Sequence, residues 1–136
     1  QRMLPANSTP EELLAFVRDW FRILASGDTA TASNLIDEPN CYDIEWTPQY
    51  IRHAIDLAFV PDCRFRLEHN GLAEFSDPDS AVGQPQFDVL PFDDGSGYSV
   101  HYDVPMNGVW SDLTAQFEFV FRDGQLAVIL HDLHVM

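Results

Sequence analysis

Residues 98–136 read YSVHYDVPMNGVWSDLTAQFEFVFRDGQLAVILHDLHVM, and two dipeptides within them, Asn107-Gly108 and Asp123-Gly124, decide the fold. Both residue pairs tolerate positive φ at the two central positions of a hairpin loop, so each predicts a primed two-residue turn between antiparallel strands. With Asp123-Gly124 as the loop, Arg122 pairs with Gln125. The ladder then runs back through Phe121–Leu126, Phe119–Val128, Phe117–Leu130, Ala115–Asp132 and Leu113–His134. With Asn107-Gly108 as the other loop, Met106 pairs with Val109, followed by Tyr102–Leu113, Val100–Ala115 and Tyr98–Phe117. The two turns agree on one apolar face, and a slip of one residue would turn every side chain over.

This register predicts two rows across the sheet, Val100–Ala115–Asp132 and Tyr102–Leu113–His134, at the end away from Phe117, Phe119 and Phe121. The expected site is a cavity between sheet and helices where Tyr102, Asp132 and His134 converge on a small molecule. Val100, Leu113, Ala115, Phe117 and Trp20 would line it, giving the mostly apolar pocket with a few polar groups that ligand sites favour. Aromatic shielding raises a carboxylate's proton affinity, and a neighbouring imidazole can serve as counter-charge, base or donor. With a phenol to stabilise an oxyanion, such a set suffices for acid–base chemistry of the isomerase, cyclase or dehydratase type. The competing reading puts Asp132 and His134 at the sheet margin, solvated or paired with an arginine. No nucleophile elbow, phosphate loop or two-cysteine metal clip is present in the sequence, and no cofactor or metal is expected.

On the opposite face the same register sets Asp103 across from Asp112, His101 beside Thr114 and His131 beside Gln116. Facing carboxylates are either screened at a wet rim or bridged by a divalent cation or a partner's arginine. Met106, Val109 and Trp110 at the adjoining turn would add an apolar anchor for a protein partner if exposed. Packing of Trp110 on the sheet edge is the plainer alternative.

Upstream of the hairpins the signals are helical. Thr9-Pro10-Glu11-Glu12 forms a capping box with proline at the first helical position. Leu13, Leu14, Val17, Trp20, Phe21 and Leu24 follow at three- and four-residue spacing, and Gly27 ends the stripe. Asp28 caps a shorter helix carrying Ala32, Leu35 and Ile36, stopped by Pro39. Thr47-Pro48 opens a third helix with Ile51, Ala54, Ile55, Ala58 and Phe59. Alternation from Arg64 to Glu68 suggests a half-buried strand. One further strand near Gln86 to Phe92, carrying Pro91, reads as an edge. The fold class is therefore α+β: three N-terminal helices packed on one face of a curved, mainly antiparallel sheet.

The 136 residues suit one domain spanning 1–136, with 46% hydrophobic residues for a single core. No apolar run approaches the roughly 20 residues that cross a bilayer, and Gln1 to Pro10 lacks a secretory core, so no membrane partner and a cytoplasmic location are expected. Cys41 and Cys63 lack metal-ligand spacing and read as reduced structural thiols. Seven basic residues, all arginine, stand against 22 acidic ones, a net charge of −15. That balance disfavours nucleic acid as a partner. It reflects either a compositional habit linked to solubility or a negative surface that steers towards a basic protein partner. A non-enzymatic interaction or immunity-type protein is thus the alternative to a small-molecule pocket.

Phe16 to Leu35, with Trp20, the Gly27-Asp28 break and Ala32 in a second helix, followed by terminal antiparallel strands, resembles the nuclear-transport-factor-2-like superfamily. That superfamily is a cone-shaped α+β fold that includes polyketide cyclases, ketosteroid isomerases and scytalone dehydratase. The resemblance covers about two thirds of the chain. It implies a pocket on the concave side of a curved sheet, often in a homodimer. The chain departs from the pattern in having only Cys41 to Trp46 where members carry a long hairpin, and in a long irregular segment from Asn70 to Gly97.

Overall fold

The computed structural model describes residues 3–135. Helix α1 (Pro10–Ala25) begins with the predicted capping box: Thr9 Oγ1 accepts the Glu12 amide, and the Glu12 carboxylate accepts the Thr9 amide. Helix α2 (Thr29–Asn34) is capped by Asp28, and α3 (Pro48–Ala58) by Thr47. A short fourth helix, α4 (Arg64–Leu67), replaces the strand read from alternation at Arg64 to Glu68. There Phe65 sits between Phe59 and His69, with ring centroids 4.8 and 4.4 Å away. Arg66 donates to the carbonyls of Phe59 and Gly71. These contacts at short sequence range need a helical turn, and five residues of weak alternation cannot outweigh them.

Five strands, β1 (Leu4–Pro5), β2 (Phe87–Pro91), β3 (Gly97–Met106), β4 (Val109–Arg122) and β5 (Gln125–Val135), form one sheet in the order β1-β5-β4-β3-β2. Its named pairings are all antiparallel. The sheet curls into a half-barrel, giving an α+β architecture with four helices among the described residues. Both hairpin turns form as predicted, with Asn107 at φ 54°, Gly108 at 82°, Asp123 at 50° and Gly124 at 79°. Pairing starts at Met106↔Val109 and Arg122↔Gln125.

Each hairpin then departs from regular pairing once. In β3–β4, Pro105 faces Trp110 while Asp103 faces Thr114, so Ser111 to Leu113 stand against Val104 alone. Ser111 fastens this bulge, its hydroxyl donating to the Val104 carbonyl at 2.7 Å and accepting the Leu113 amide at 3.2 Å. The register moves by two residues, so faces are kept but partners change: Tyr102 faces Ala115 rather than Leu113. In β4–β5, Phe117 faces Leu130 but Gln116 faces Asp132, leaving His131 as one extra residue. A single inserted residue turns over everything beyond it.

Helix α1 lays Phe16 and Trp20 edge-on against Phe117, with centroids 6.1 and 5.2 Å away, and Phe21 against Tyr102 at 5.6 Å. Both buried indoles find acceptors: Trp20 donates to the Ala32 carbonyl and Trp46 to that of Leu130. The segment before α3 covers the free edge of β5. Asp37 exchanges hydrogen bonds with Val128, and the Asn40 amide donates to the His131 carbonyl. Among the described residues no helix is long and apolar enough to cross a membrane.

Candidate functional site

The predicted inward convergence of Tyr102, Asp132 and His134 does not occur. Asp132 and His134 lie beyond the His131 bulge, opposite Gln116 and Thr114, and project from the outward face of the sheet. Leu133 takes the core position beside Ala115 and is buried. The apolar spacing along β5 carries this signal, since Leu126, Val128 and Leu130 recur every second residue and the next apolar core residue, Leu133, comes three later. A change from two to three within a strand marks a bulge.

The expected lining is a filled core. Val100, Leu113, Ala115, Phe117 and Trp20 are all completely buried and belong to one hydrophobic cluster. Tyr102 does face the helices, but only 3% of it is exposed and its hydroxyl accepts a hydrogen bond from Arg18 at 2.9 Å. Asp103 and Asp112 do not face each other across the ladder, because Asp112 is in the β4 bulge. Met106 at the turn is buried and offers no exposed anchor.

The outward face of the sheet instead gathers ionisable groups. Asp88 of β2, Asp103 of β3, Glu118 of β4 and Asp132 of β5 share it, and Asp112 joins them from the bulge. Three imidazoles lie beside these carboxylates: His101 Nδ1 is 3.2 Å from Asp88, His131 Nδ1 3.9 Å from Glu118, and His134 Nδ1 3.3 Å from Asp132. The described arginines are engaged elsewhere. Arg18 and Arg22 pair with Asp79, Arg52 and Arg66 with Asp56, Arg64 with Glu68 and Arg122 with Glu38. Burial works against the charge of Arg18, but the Tyr102 and Asp79 oxygens outweigh it and raise its proton affinity.

Two concavities adjoin this face. One, of about 860 Å³, opens between the approach to β2 and the β4 bulge, with Phe87, Tyr102 and Trp110 as aromatic lining and Asp88, Asp103 and Asp112 as acids. The second, of about 350 Å³, is formed where α3 meets the end of β5, and Tyr50, Ala54, Asp132 and His134 line it. Tyr102 and the Asp132–His134 pair thus border different spaces. Phe87 and Tyr50 escape the sequence reading as site residues because nothing in their local spacing distinguishes an aromatic at a rim from one in the core, whereas Trp110 enters it as a candidate anchor for a protein partner and here lines the larger concavity.

Compared with protein-family models, with curated proteins and with solved structures, the chain shows no match. The curled sheet with its helices defines the class of the protein, an α+β half-barrel compatible with a cone-like fold.

Proposed function

We propose that this chain is an acidic, non-enzymatic interaction module that docks a basic protein partner on the outward face of its sheet. One observation carries the reading: the helix side of the sheet is filled with side chains, while Asp88, Asp103, Asp112, Glu118 and Asp132 share the outward side with no arginine paired to them among the described residues. Complementary charge steers encounter and suppresses wrong partners, and salt weakens it. The test is association with an immobilised arginine-rich peptide across a range of ionic strengths. The triple variant Asp88→Asn, Glu118→Gln, Asp132→Asn should bind more weakly than a control of equal net charge, Glu11→Gln, Glu45→Gln, Asp62→Asn, whose sites are exposed elsewhere. Equal binding by the two triple variants, or binding that salt does not reduce, would sink the proposal.

A second reading rests on the smaller concavity. Asp132 and His134, 3.3 Å apart, border a space that is also lined by Tyr50, Ala54 and Leu57. A small molecule seated there would meet a carboxylate–imidazole pair able to handle a proton. In this reading Tyr50 takes the place that the sequence suggested for Tyr102, and a nuclear-transport-factor-2-like cone would be using a margin of its sheet. A small-molecule library screened by thermal shift tests it. Any ligand found should lose affinity in both Asp132→Asn and His134→Ala, and a ligand indifferent to both excludes this role.

A further inference from the structure

We infer that the open edge of β2 accepts an extended segment of the basic partner as an added antiparallel strand, and this rests on the docking reading above. β2 is the last strand of the sheet, and among the described residues no bridge reaches its outer side. The parity of the ladder fixes what that side offers. The Asp103 amide donates to the Gln86 carbonyl and the Phe92 amide to the Gly97 carbonyl, so the even-numbered residues of this stretch bond to β3. Phe87 and Val89 therefore turn their amides and carbonyls away from β3, where they form a template for another strand. Pro91 has the same parity, so its missing N–H costs no bond to β3 and marks the end of the donors on this edge.

Elsewhere the chain covers its own strands. At the opposite margin β1 and the segment from Asp37 to Asn40 cover β5, and beyond the end of β2 the edge of β3 is met by Phe75, which bridges Met106. The five residues of β2 have no such cover, and their side chains show what suits them. On the helix side Phe87 stacks on Tyr102 at 5.1 Å yet stays 51% exposed, and Val89 follows it on the same side. On the outward side stands Asp88, 3.2 Å from His101, followed by exposed Leu90. An added strand thus meets apolar groups with one set of alternate residues and a carboxylate with the other. Charge decides the occupant. A second copy of this chain would bring another net charge of −15 to the contact. A strand that alternates apolar and basic residues instead sets the apolar ones beside Phe87 and Val89 and the basic ones beside Asp88, with backbone hydrogen bonds holding it in place. Its antiparallel sense continues that of the named pairings in the sheet.

The test uses the whole chain and a heptapeptide of alternating arginine and valine, acetylated and amidated at its ends. In the added strand the valine amides face β2 and the arginine amides face solvent. Methylating the valine amides should weaken binding about tenfold, the loss expected for two or more backbone hydrogen bonds. Methylating an equal number of arginine amides keeps the charge and the composition and should leave binding unchanged. Amide exchange followed by NMR gives a second readout: the peptide should slow exchange at Phe87 and Val89, whereas Asp88 and Leu90 are protected by β3 without it. Equal binding by the two methylated peptides, or exchange at Phe87 and Val89 that the peptide does not slow, would overturn the inference. Either result beside salt-sensitive binding of the immobilised arginine-rich peptide leaves the docking face standing without the added strand. A heptapeptide that binds through its valine amides while the arginine-rich peptide does not bind keeps the edge and removes the docking face. Failure of both peptides to bind removes both.

Discussion

Asp132 stands opposite Gln116, and not opposite Ala115, because His131 is an extra residue in β5. This pairing decides which side chain of the His131–His134 stretch holds the core and which meets the solvent. It makes Leu133 the structural residue and leaves its charged neighbours on the surface. Leu133→Ala should cost about 2–5 kcal/mol, as for other buried leucines, whereas Asp132→Ala and His134→Ala should each stay within about 0.5 kcal/mol. Urea denaturation of the three variants checks this. The reverse ranking would mean that the strands pair without a bulge.

Asp37 makes a second prediction, through its place on the open edge of β5. Its amide donates to the Val128 carbonyl at 2.7 Å, and its Oδ2 accepts the Val128 amide at 2.8 Å. Burial raises the proton affinity of this carboxyl above its ordinary value of 3.8, and the Val128 hydrogen bond offsets only part of that. A carboxyl whose folded-state pKa is raised weakens the fold when ionised, so the cost is present at neutral pH and is relieved as pH falls through the folded pKa. Asp37→Asn keeps an oxygen for Val128 and removes the charge. It should be at least as stable as the parent at neutral pH, with the advantage shrinking in acid. Asp37→Ala leaves the Val128 amide without its acceptor and should lose about 1–3 kcal/mol. Chemical denaturation at neutral and acidic pH distinguishes the two.

Asp79 has the opposite sign. Hydrogen bonds from Arg22 and then Arg18 hold its carboxyl below 3.8, tying the turn at 77–80 to α1. A depressed pKa contributes stability that is present above the unfolded value and is lost as pH falls through the folded one. Asp79→Asn should therefore be less stable than the parent at neutral pH, and the difference should close below about pH 3.8. The effect should also shrink in high salt, because the carboxylate is largely exposed and its pairs are screened. A gap that is constant across pH would mean that the two arginines do not favour the ionised form.

How far the sequence could be read follows from the range of each signal. Thr9, Asp28 and Thr47 act on amides three residues away, and Asn107-Gly108 and Asp123-Gly124 act within their own turns, so caps and hairpins were legible. The edge position of β2 followed from Pro91. The bulge in β4 is a compromise between two strands and leaves no local mark, whereas the one at His131 is marked in β5 itself by the step of three from Leu130 to Leu133. Ser111 closes one by reaching Val104, a contact seven residues away. Leu133 drives the other by seeking a core made by α1 and α3. The error of one residue at His131 turned the candidate site inside out while leaving the fold class intact. At Arg64 to Glu68 the alternation was too short to compete with Phe59 and His69, whose rings bracket Phe65.

Gly97 gives the last prediction, and it concerns the turn that sets β2 against β3. Its φ of 152° is one that L side chains rarely adopt, and a Cβ built there would lie 2.0 Å from the Phe119 carbonyl oxygen and 2.9 Å from the Val120 Cα. Both neighbours are backbone of the central strand β4, so neither can step aside as a flexible side chain would. Gly97→Ala should therefore cost about 3 kcal/mol or more, the upper range for forcing atoms into a filled space, and the strain should fall on β3–β4 pairing. Gly95 is the control. It has φ 76° with nothing within 4 Å of a built Cβ, so only its backbone conformation opposes alanine. Gly95→Ala should cost about 1–2 kcal/mol, the ordinary penalty for an L residue in the left-handed region. Thermal or urea unfolding of the two variants side by side measures the difference. Equal losses would show that close approach of Gly97 to Phe119 contributes nothing, whereas a much larger loss at Gly97 would locate the tightest backbone contact of the sheet beside the strand that carries Phe87.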